Sequence, residues 1–121
     1  ALKFKETCGI HAEAYSAAAV LHGPARIVEA GFPVLALAAR DASEAAVAEI
    51  ADRLARQGAT AFATTTRVAA ARRLPFAPTG HPITDGLSLI VSFYGFVEKL
   101  SRARGLDPDH PPHLKKVTET V

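Results

Sequence analysis

The residue types best suited to chemistry lie in the first 24 positions, ALKFKETCGIHAEAYSAAAVLHGP. Lys3 and Glu6 are three residues apart, so on a helix they share a face and can form an ion pair. His22 stands directly before a Gly-Pro turn, and its ordinary pKa of about 6.5 suits acid–base chemistry at neutral pH. A carboxylate, a cation and an imidazole so arranged predict a proton-transfer site. An ordinary surface ion pair explains the Lys3–Glu6 spacing as well.

His11 and Glu13 are metal-ligating types, but two residues apart they do not share a helix face, and no compact ligand triad accompanies them. We therefore predict no metal site. The chain has no glycine-rich loop of the kind that binds dinucleotides or nucleoside triphosphates, and we expect no cofactor. The run Thr64–Thr66 follows a predicted strand, where hydroxyls can hold an anion, although most such runs only end a strand. His81 and His110 lie in proline-rich loops, His113 precedes a Leu-Lys-Lys segment, and all three are expected to be exposed.

Composition excludes several classes of protein. The 121 residues carry a net charge of only +2 without a basic cluster, which argues against nucleic-acid or membrane-surface binding. No apolar run reaches the roughly 18–20 residues of a membrane helix. The single Cys8 cannot form an internal disulfide, and its simplest role is that of a small core residue. We therefore expect a cytoplasmic protein.

The hydrophobic patterns predict alternating strands and helices. Strands are predicted at 33–39 and 59–64, with a weaker extended segment at 74–78. Helices are predicted at 1–21 with a break near Gly9, at 25–30, from the capping residues Asp41 or Ser43 to Gly58, and at 84–104, with a helical turn or two at 67–73.

This alternation predicts an α/β sandwich with a parallel sheet. Only two or three strands are visible, fewer than such a sheet normally contains. We therefore expect the chain to be the C-terminal portion of a larger domain, with further strands preceding residue 1.

Two motifs carry a family resemblance. The opening stretch resembles the second sugar isomerase (SIS) domain of the glucosamine-6-phosphate synthase and phosphosugar isomerase/deaminase family, with its pattern A-L-K-x-K-E, H-A-E-A and H-G-P. The ending GLDPDHPPHLKKVTETV is similar to the closing motif of that family. The resemblance implies a three-layer αβα sandwich of flavodoxin-like type across residues 1–121. It also implies an extended tail at 105–121 that carries an active-site lysine.

The resemblance also implies roles for four residues. Glu6 matches the carboxylate that moves a proton between C1 and C2 of the open-chain sugar, and Lys3 matches the lysine one helical turn before it. His22 matches the ring-opening histidine, which the partner subunit contributes in this family, so a homodimer with a shared active site is implied. Lys116 matches the tail lysine that closes over the sugar. Lys3, Glu6 and Lys116 are thus expected to bind the phosphosugar substrate.

The expected activity is the aldose–ketose isomerisation of an amino sugar phosphate, such as glucosamine-6-phosphate, with release of ammonia. The ending resembles that of short family members without a glutaminase domain, which favours deamination. Two alternatives stay open: the isomerase domain of glutamine–fructose-6-phosphate aminotransferase, and a non-catalytic sugar-phosphate sensor.

Two departures from the family pattern matter. Ala19 replaces a glutamate often found three residues before the His-Gly-Pro. The Ser/Thr-rich loop with which the family binds the sugar phosphate is not among these residues. We therefore expect the 121-residue chain to have no turnover by itself.

Overall fold

The computed structural model describes residues 1–114, which form two compact units. One unit, here called the sheet unit, is Tyr15–Ser92. The other, here called the terminal unit, joins Ala1–Ala14 to residues 93–114. Each is described by itself.

A three-stranded parallel sheet is the centre of the sheet unit. Its strands are β1 (Pro33–Ala36), β2 (Thr60–Ala63) and β3 (Arg72–Arg73), in that order. Helix α3 (Glu44–Arg56) connects β1 to β2 and packs on both. The predicted α/β class with a parallel sheet is confirmed. The two long strands are shorter than predicted, and the third pairs at 72–73 rather than within 74–78.

The core of the sheet unit is built mainly from small residues. Ala48 and Ala51 of α3 are buried together with Ala61 and Ala63 of β2. Alanine lets a helix approach a sheet closely, so these positions explain how a 13-residue helix covers so short a sheet. Two further helical segments lie in the sheet unit before β1: α2 (Ala17–Val20) packs on α3, and a 3₁₀ turn follows at Pro24–Ile27.

The connection between β2 and β3 is not the helical turn that the sequence predicts at 67–73. Its backbone instead wraps around the carboxylate of Asp52, which accepts hydrogen bonds from the amides of Ala69, Ala70 and Ala71 at 2.8 to 3.1 Å. Asp52 belongs to α3 and is only 7% exposed. A carboxylate that receives amides from three consecutive residues outweighs local helix propensity, which explains why the prediction is wrong here.

The predicted helix over residues 1–21 is in fact two short helices. Helix α1 spans Leu2–Cys8 and ends at Gly9, whose φ of 59° is left-handed. Residues 9–16 are irregular, and Ser16 then caps α2 by accepting a hydrogen bond from the Ala19 amide at 3.2 Å. The break near Gly9 is confirmed, but it is longer than a kink.

Helix α1 packs on the last residues of helix α4 (Pro82–Ala103) inside the terminal unit. Phe4 meets the Phe93 ring edge-on, with centroids 5.4 Å apart. The Ser101 hydroxyl donates to the Thr7 carbonyl at 2.6 Å, and Cys8 is fully buried. These contacts hold α1 at both ends, which matters because α1 carries the predicted site.

Apolar side chains recur at helical spacing along α4 and form a stripe that is mostly not buried. Val97 is buried, whereas Leu87, Val91 and Tyr94 are at least half exposed. The stripe has the spacing of a packed helix, but in residues 1–114 little covers its N-terminal half. Within that range no helix combines the length and apolarity needed to cross a membrane.

Candidate functional site

Lys3 and Glu6 form the ion pair that their spacing predicts. The Lys3 Nζ atom lies 2.6 Å from Glu6 Oε2, one turn along α1. The hydrogen bond to Glu6 and its negative charge raise the pKa of the Lys3 ammonium, so Lys3 stays protonated at neutral pH. The Glu6 side chain is 28% exposed, which leaves its carboxylate within reach of a ligand.

Glu6 lies on the wall of a cavity of about 240 Å³ within the terminal unit. The cavity brings residues of α1 together with the turns that follow α4. Its lining residues are Lys5, Glu6, Thr7, Gly9, Leu106, Asp107, Pro112 and His113. Two carboxylates, an imidazole and an ammonium around one small space can move protons to and from a bound hydroxylated molecule.

Sequence reasoning missed two residues of this cavity, Asp107 and His113. His113 is exposed, as predicted, but it also lines the same cavity as Glu6 and adopts a φ of 65°. Asp107 binds His110 across a turn, with Oδ2 and Nδ1 2.9 Å apart. Their spacing to Glu6 in the chain is about a hundred residues, so only the fold brings them together. Residues 105–114 follow a succession of turns.

His22 belongs to the sheet unit and stands in the turn after α2. It is exposed, and its amide donates to the Ala19 carbonyl at 3.0 Å. The next residue, Gly23, has a φ of 139°, a conformation that L side chains rarely adopt. The backbone conformation thus explains the glycine of the His-Gly-Pro motif, because glycine lets the chain turn sharply directly after His22.

Lys116 lies outside the described residues. His11 and Glu13 approach each other to 3.9 Å on the surface, where the His11 side chain is 83% exposed. Across residues 1–114, no three His, Cys, Asp or Glu side chains cluster closely enough to hold a metal ion.

Comparison with known proteins identifies relatives along the whole chain. The chain is 38% identical, over its full length, to glutamine–fructose-6-phosphate aminotransferase (isomerizing) from Aeropyrum pernix, and 31% identical over 96% of its length to the enzyme of that name from Caulobacter vibrioides. In both cases it spans only about 20% of the relative, that is, a fifth of its length. No family model matches the chain.

Solved structures of related proteins agree with these sequence comparisons. A proposed phosphosugar isomerase from Silicibacter pomeroyi superposes with a TM-score of 0.84 and 64% identity, over 90% of this chain and 33% of that protein. The C-terminal domain of glucosamine-fructose-6-phosphate aminotransferase from Francisella tularensis superposes with a TM-score of 0.78 at 23% identity, covering 88% of this chain and 32% of that domain, which supports the fold alone. The chain therefore belongs to the glucosamine-6-phosphate synthase and phosphosugar isomerase family, and corresponds to part of its C-terminal SIS domain.

Proposed function

We propose that this chain supplies the proton-transfer residues of a phosphosugar aldose–ketose isomerase. The observation that carries the proposal is the Lys3–Glu6 pair, 2.6 Å apart, with Glu6 on the wall of a small cavity. The names of the relatives, which are isomerizing enzymes and a phosphosugar isomerase, support the substrate class. We take the substrate to be an open-chain amino sugar phosphate.

Glu6 is the group that moves the proton. Its carboxylate removes the proton from C2 of the open-chain aldose and returns it to C1, while a second proton moves from the amino nitrogen to O1. The C1 aldehyde thus becomes an alcohol, and a carbon–nitrogen double bond forms at C2 of the amino sugar. One carboxylate can do both steps because the carboxyl group protonated in the first step is the acid of the second, and its proton can exchange with solvent between them. Water then adds to C2 and ammonia leaves, which gives the ketose phosphate.

Lys3 holds the Glu6 side chain in place. The ammonium donates to one carboxylate oxygen, so the other oxygen is free to face the cavity. Because the raised pKa of Lys3 holds it in the charged form, its positive charge also stabilises negative charge that develops on the substrate oxygen. Both effects need the two side chains on the same face of α1.

His22 and Lys116 complete the proposed site. We assign to His22 the proton transfer to the ring oxygen that opens the cyclic sugar, and we propose that it acts in the site of a partner subunit in a homodimer. Lys116 closes over the bound sugar. A reducing compartment such as the cytoplasm suits the buried Cys8 thiol.

Release of ammonia remains our preferred net reaction. The second candidate is the isomerase step of a glutamine-dependent synthase, and it is favoured by the name that the curated relatives share, glutamine–fructose-6-phosphate aminotransferase. Both reactions use Glu6 to move a proton between C1 and C2. They differ in whether the amino nitrogen of the sugar is released as ammonia or retained in the product.

The deciding experiment is proton NMR of the full-length protein with glucosamine-6-phosphate and without glutamine, while ammonia is assayed in parallel. Fructose-6-phosphate with an equal amount of ammonia supports the deaminase. No product in that incubation, but turnover when glutamine and fructose-6-phosphate are supplied instead, supports the synthase. Binding of the sugar without turnover in either direction would contradict an enzymatic role and indicate a sensor.

A further inference from the structure

A second cavity, of about 300 Å³, lies at the carboxyl edge of the parallel sheet, and neither the family motifs nor the proposed reaction uses it. It lies entirely in the sheet unit and includes none of Lys3, Glu6 or His22. Its lining residues are Arg40, Glu44, Thr64, Thr65, Thr66, Arg73, Leu74, Pro75 and Phe76. We propose that this cavity binds a small phosphate monoester, separately from the proton-transfer site.

The position of the cavity is the first argument. Arg40 follows β1, Thr64 follows β2, and Arg73 ends β3, so all three strands deliver polar residues to one edge. Open parallel sheets bind ligands in the crevice beyond the carboxyl ends of their strands. The volume is at the lower end of the range for small-molecule sites, which limits the ligand to one of modest size.

Charge is the second argument. Two guanidinium groups, Arg40 and Arg73, line the cavity, and guanidinium is the side chain best matched to a phosphate group. The one carboxylate of the wall, Glu44, is already neutralised, because Arg67 Nε lies 3.1 Å from its Oε2 atom. Asp85, beyond the wall, offsets part of the Arg40 charge, and three arginines against two carboxylates leave an excess of one positive charge.

The threonine hydroxyls have distinct roles. Thr64 accepts from the Ala38 amide at 2.8 Å, which extends the pairing of β1 and β2 beyond the last strand residue. Thr65 donates to Glu44 at 2.6 Å and thereby fixes that carboxylate. Thr66 is exposed on the wall, where its hydroxyl can donate to a phosphate oxygen. The first two build the cavity, and the third faces the ligand.

Both arginines are held by their surroundings. The Arg40 guanidinium lies over the Phe76 ring, 5.5 Å from its centroid, which keeps the long side chain at the cavity. The loop before Arg73 is fixed by the three amides that Asp52 accepts, and Arg73 Nη2 reaches the Val68 carbonyl at 3.5 Å. The two arginine side chains therefore lose little conformational freedom when the ligand binds, which lowers the entropic cost of binding.

Arg72 supplies a matched control. It is the neighbour of Arg73 on β3 and carries the same charge, but its guanidinium lies over the Phe62 ring, 5.7 Å from the centroid, and does not line the cavity. The substitutions Arg72→Gln and Arg73→Gln therefore remove the same charge from adjacent residues, and only the second removes a proposed ligand contact.

The test uses the full-length protein with Thr66→Cys and a neutral maleimide. Peptide mass spectrometry measures the labelling of position 66 separately from other cysteines, so phosphate bound elsewhere does not interfere. The reference is Ala46→Cys, because Ala46 is exposed on α3 and lies outside the cavity. Inorganic phosphate is compared with sodium chloride at equal ionic strength. A phosphate concentration about four times the Kd should slow labelling about fivefold at position 66, since protection grows as one plus the ratio of ligand to Kd. Labelling at position 46 should not change.

In the Thr66→Cys background, Arg73→Gln should raise the phosphate concentration needed for protection by about tenfold or more, and Arg72→Gln should leave it nearly unchanged. Equal effects of the two variants, or no protection at any phosphate concentration, would overturn the proposal. If Thr66→Cys does not fold, hydrogen exchange of residues 64–76 in wild-type protein replaces labelling. Slower exchange in phosphate than in chloride supports the site, and unchanged exchange refutes it.

Discussion

The terminal unit and the sheet unit each contain a cavity, and the two are built in opposite ways. The cavity beside Glu6 combines a seven-residue helix with turns that lie about a hundred residues away in the chain. The cavity beside Arg73 is formed by residues at the ends of three parallel strands and in the segments that follow them. The first is assembled from distant segments, whereas the second follows from the topology of the sheet.

This difference separates chemistry from binding. Glu6 has an ammonium 2.6 Å away and a histidine in the same cavity, which suits proton transfer. Arg40 and Arg73 present guanidinium groups whose shape matches a phosphate, so their cavity suits recognition. The predictions that follow test this division of roles.

The largest effect is expected at Glu6. Glu6→Gln keeps the size and polarity of the side chain but removes the base, so kcat should fall by about 1,000-fold while the Kd for the phosphosugar changes little. Steady-state kinetics and calorimetric titration measure the two quantities. Arg73→Gln is the comparison variant and should leave kcat within a factor of a few. Equal loss of binding and turnover in Glu6→Gln would show that Glu6 is structural.

The next effect concerns the sheet unit alone. Asp52→Ala leaves three loop amides without their acceptor, and we expect the melting temperature to fall by about 10 °C. The backbone amides, led by that of Ala71, lower the pKa of Asp52, so this stabilisation is present at neutral pH and is lost as pH falls through the lowered value. Thermal melts at pH 7 and pH 3 measure the fall in melting temperature and its dependence on pH. Glu49→Ala, exposed on the same helix, should change neither.

A smaller effect is expected at His22. His22→Ala should slow turnover of the cyclic sugar by about 10- to 100-fold, because ring opening loses its proton donor, and an acyclic substrate analogue should be affected much less. Comparing kcat/KM for the two substrates isolates the step. Similar losses on both would remove the ring-opening role from His22.

The smallest effect is in the turn at Asp107. The hydrogen bond that His110 donates to Asp107 raises the pKa of His110, so the ion pair stabilises the turn at acidic to neutral pH and is lost as pH rises through the raised value. Below the lowered pKa of Asp107 it is lost again. Asp107→Asn should lower the pKa of His110 more than Asp109→Asn does, because Asp109 acts on His110 by charge alone. NMR titration of the imidazole gives both values, and a larger shift in Asp109→Asn would contradict the assignment.

The sequence was sufficient for what depends on local spacing. A spacing of three residues on a helix brings Lys3 and Glu6 together whatever surrounds them, and the apolar run from Pro33 forms a strand, although its residues are exposed or half-buried. Sequence patterns were insufficient wherever a contact with a residue distant in the chain determines the local backbone conformation. Residues 67–73 have helical composition, but the carboxylate of Asp52, 17 to 19 positions earlier, holds their amides in a loop.

The same reason explains the residues that were missed. His113 looked like an exposed loop histidine, and it is exposed, but the turns after Gly105 bring it to the cavity of Glu6. Thr64–Thr66 looked like the plain end of a strand, and their significance depends on Arg40 and Arg73 at the same sheet edge. No short-range pattern relates these residues, so only the fold shows them together.

The most direct test of the central claim is solvent exchange at C2 of the sugar. The full-length protein is incubated with glucosamine-6-phosphate in D₂O, and proton NMR follows the loss of the C2 proton signal. We expect rapid exchange in wild-type protein and in Arg73→Gln, and none above background in Glu6→Gln at saturating sugar. Exchange in Glu6→Gln at the wild-type rate would contradict the account, because the proton would then be moved by another group.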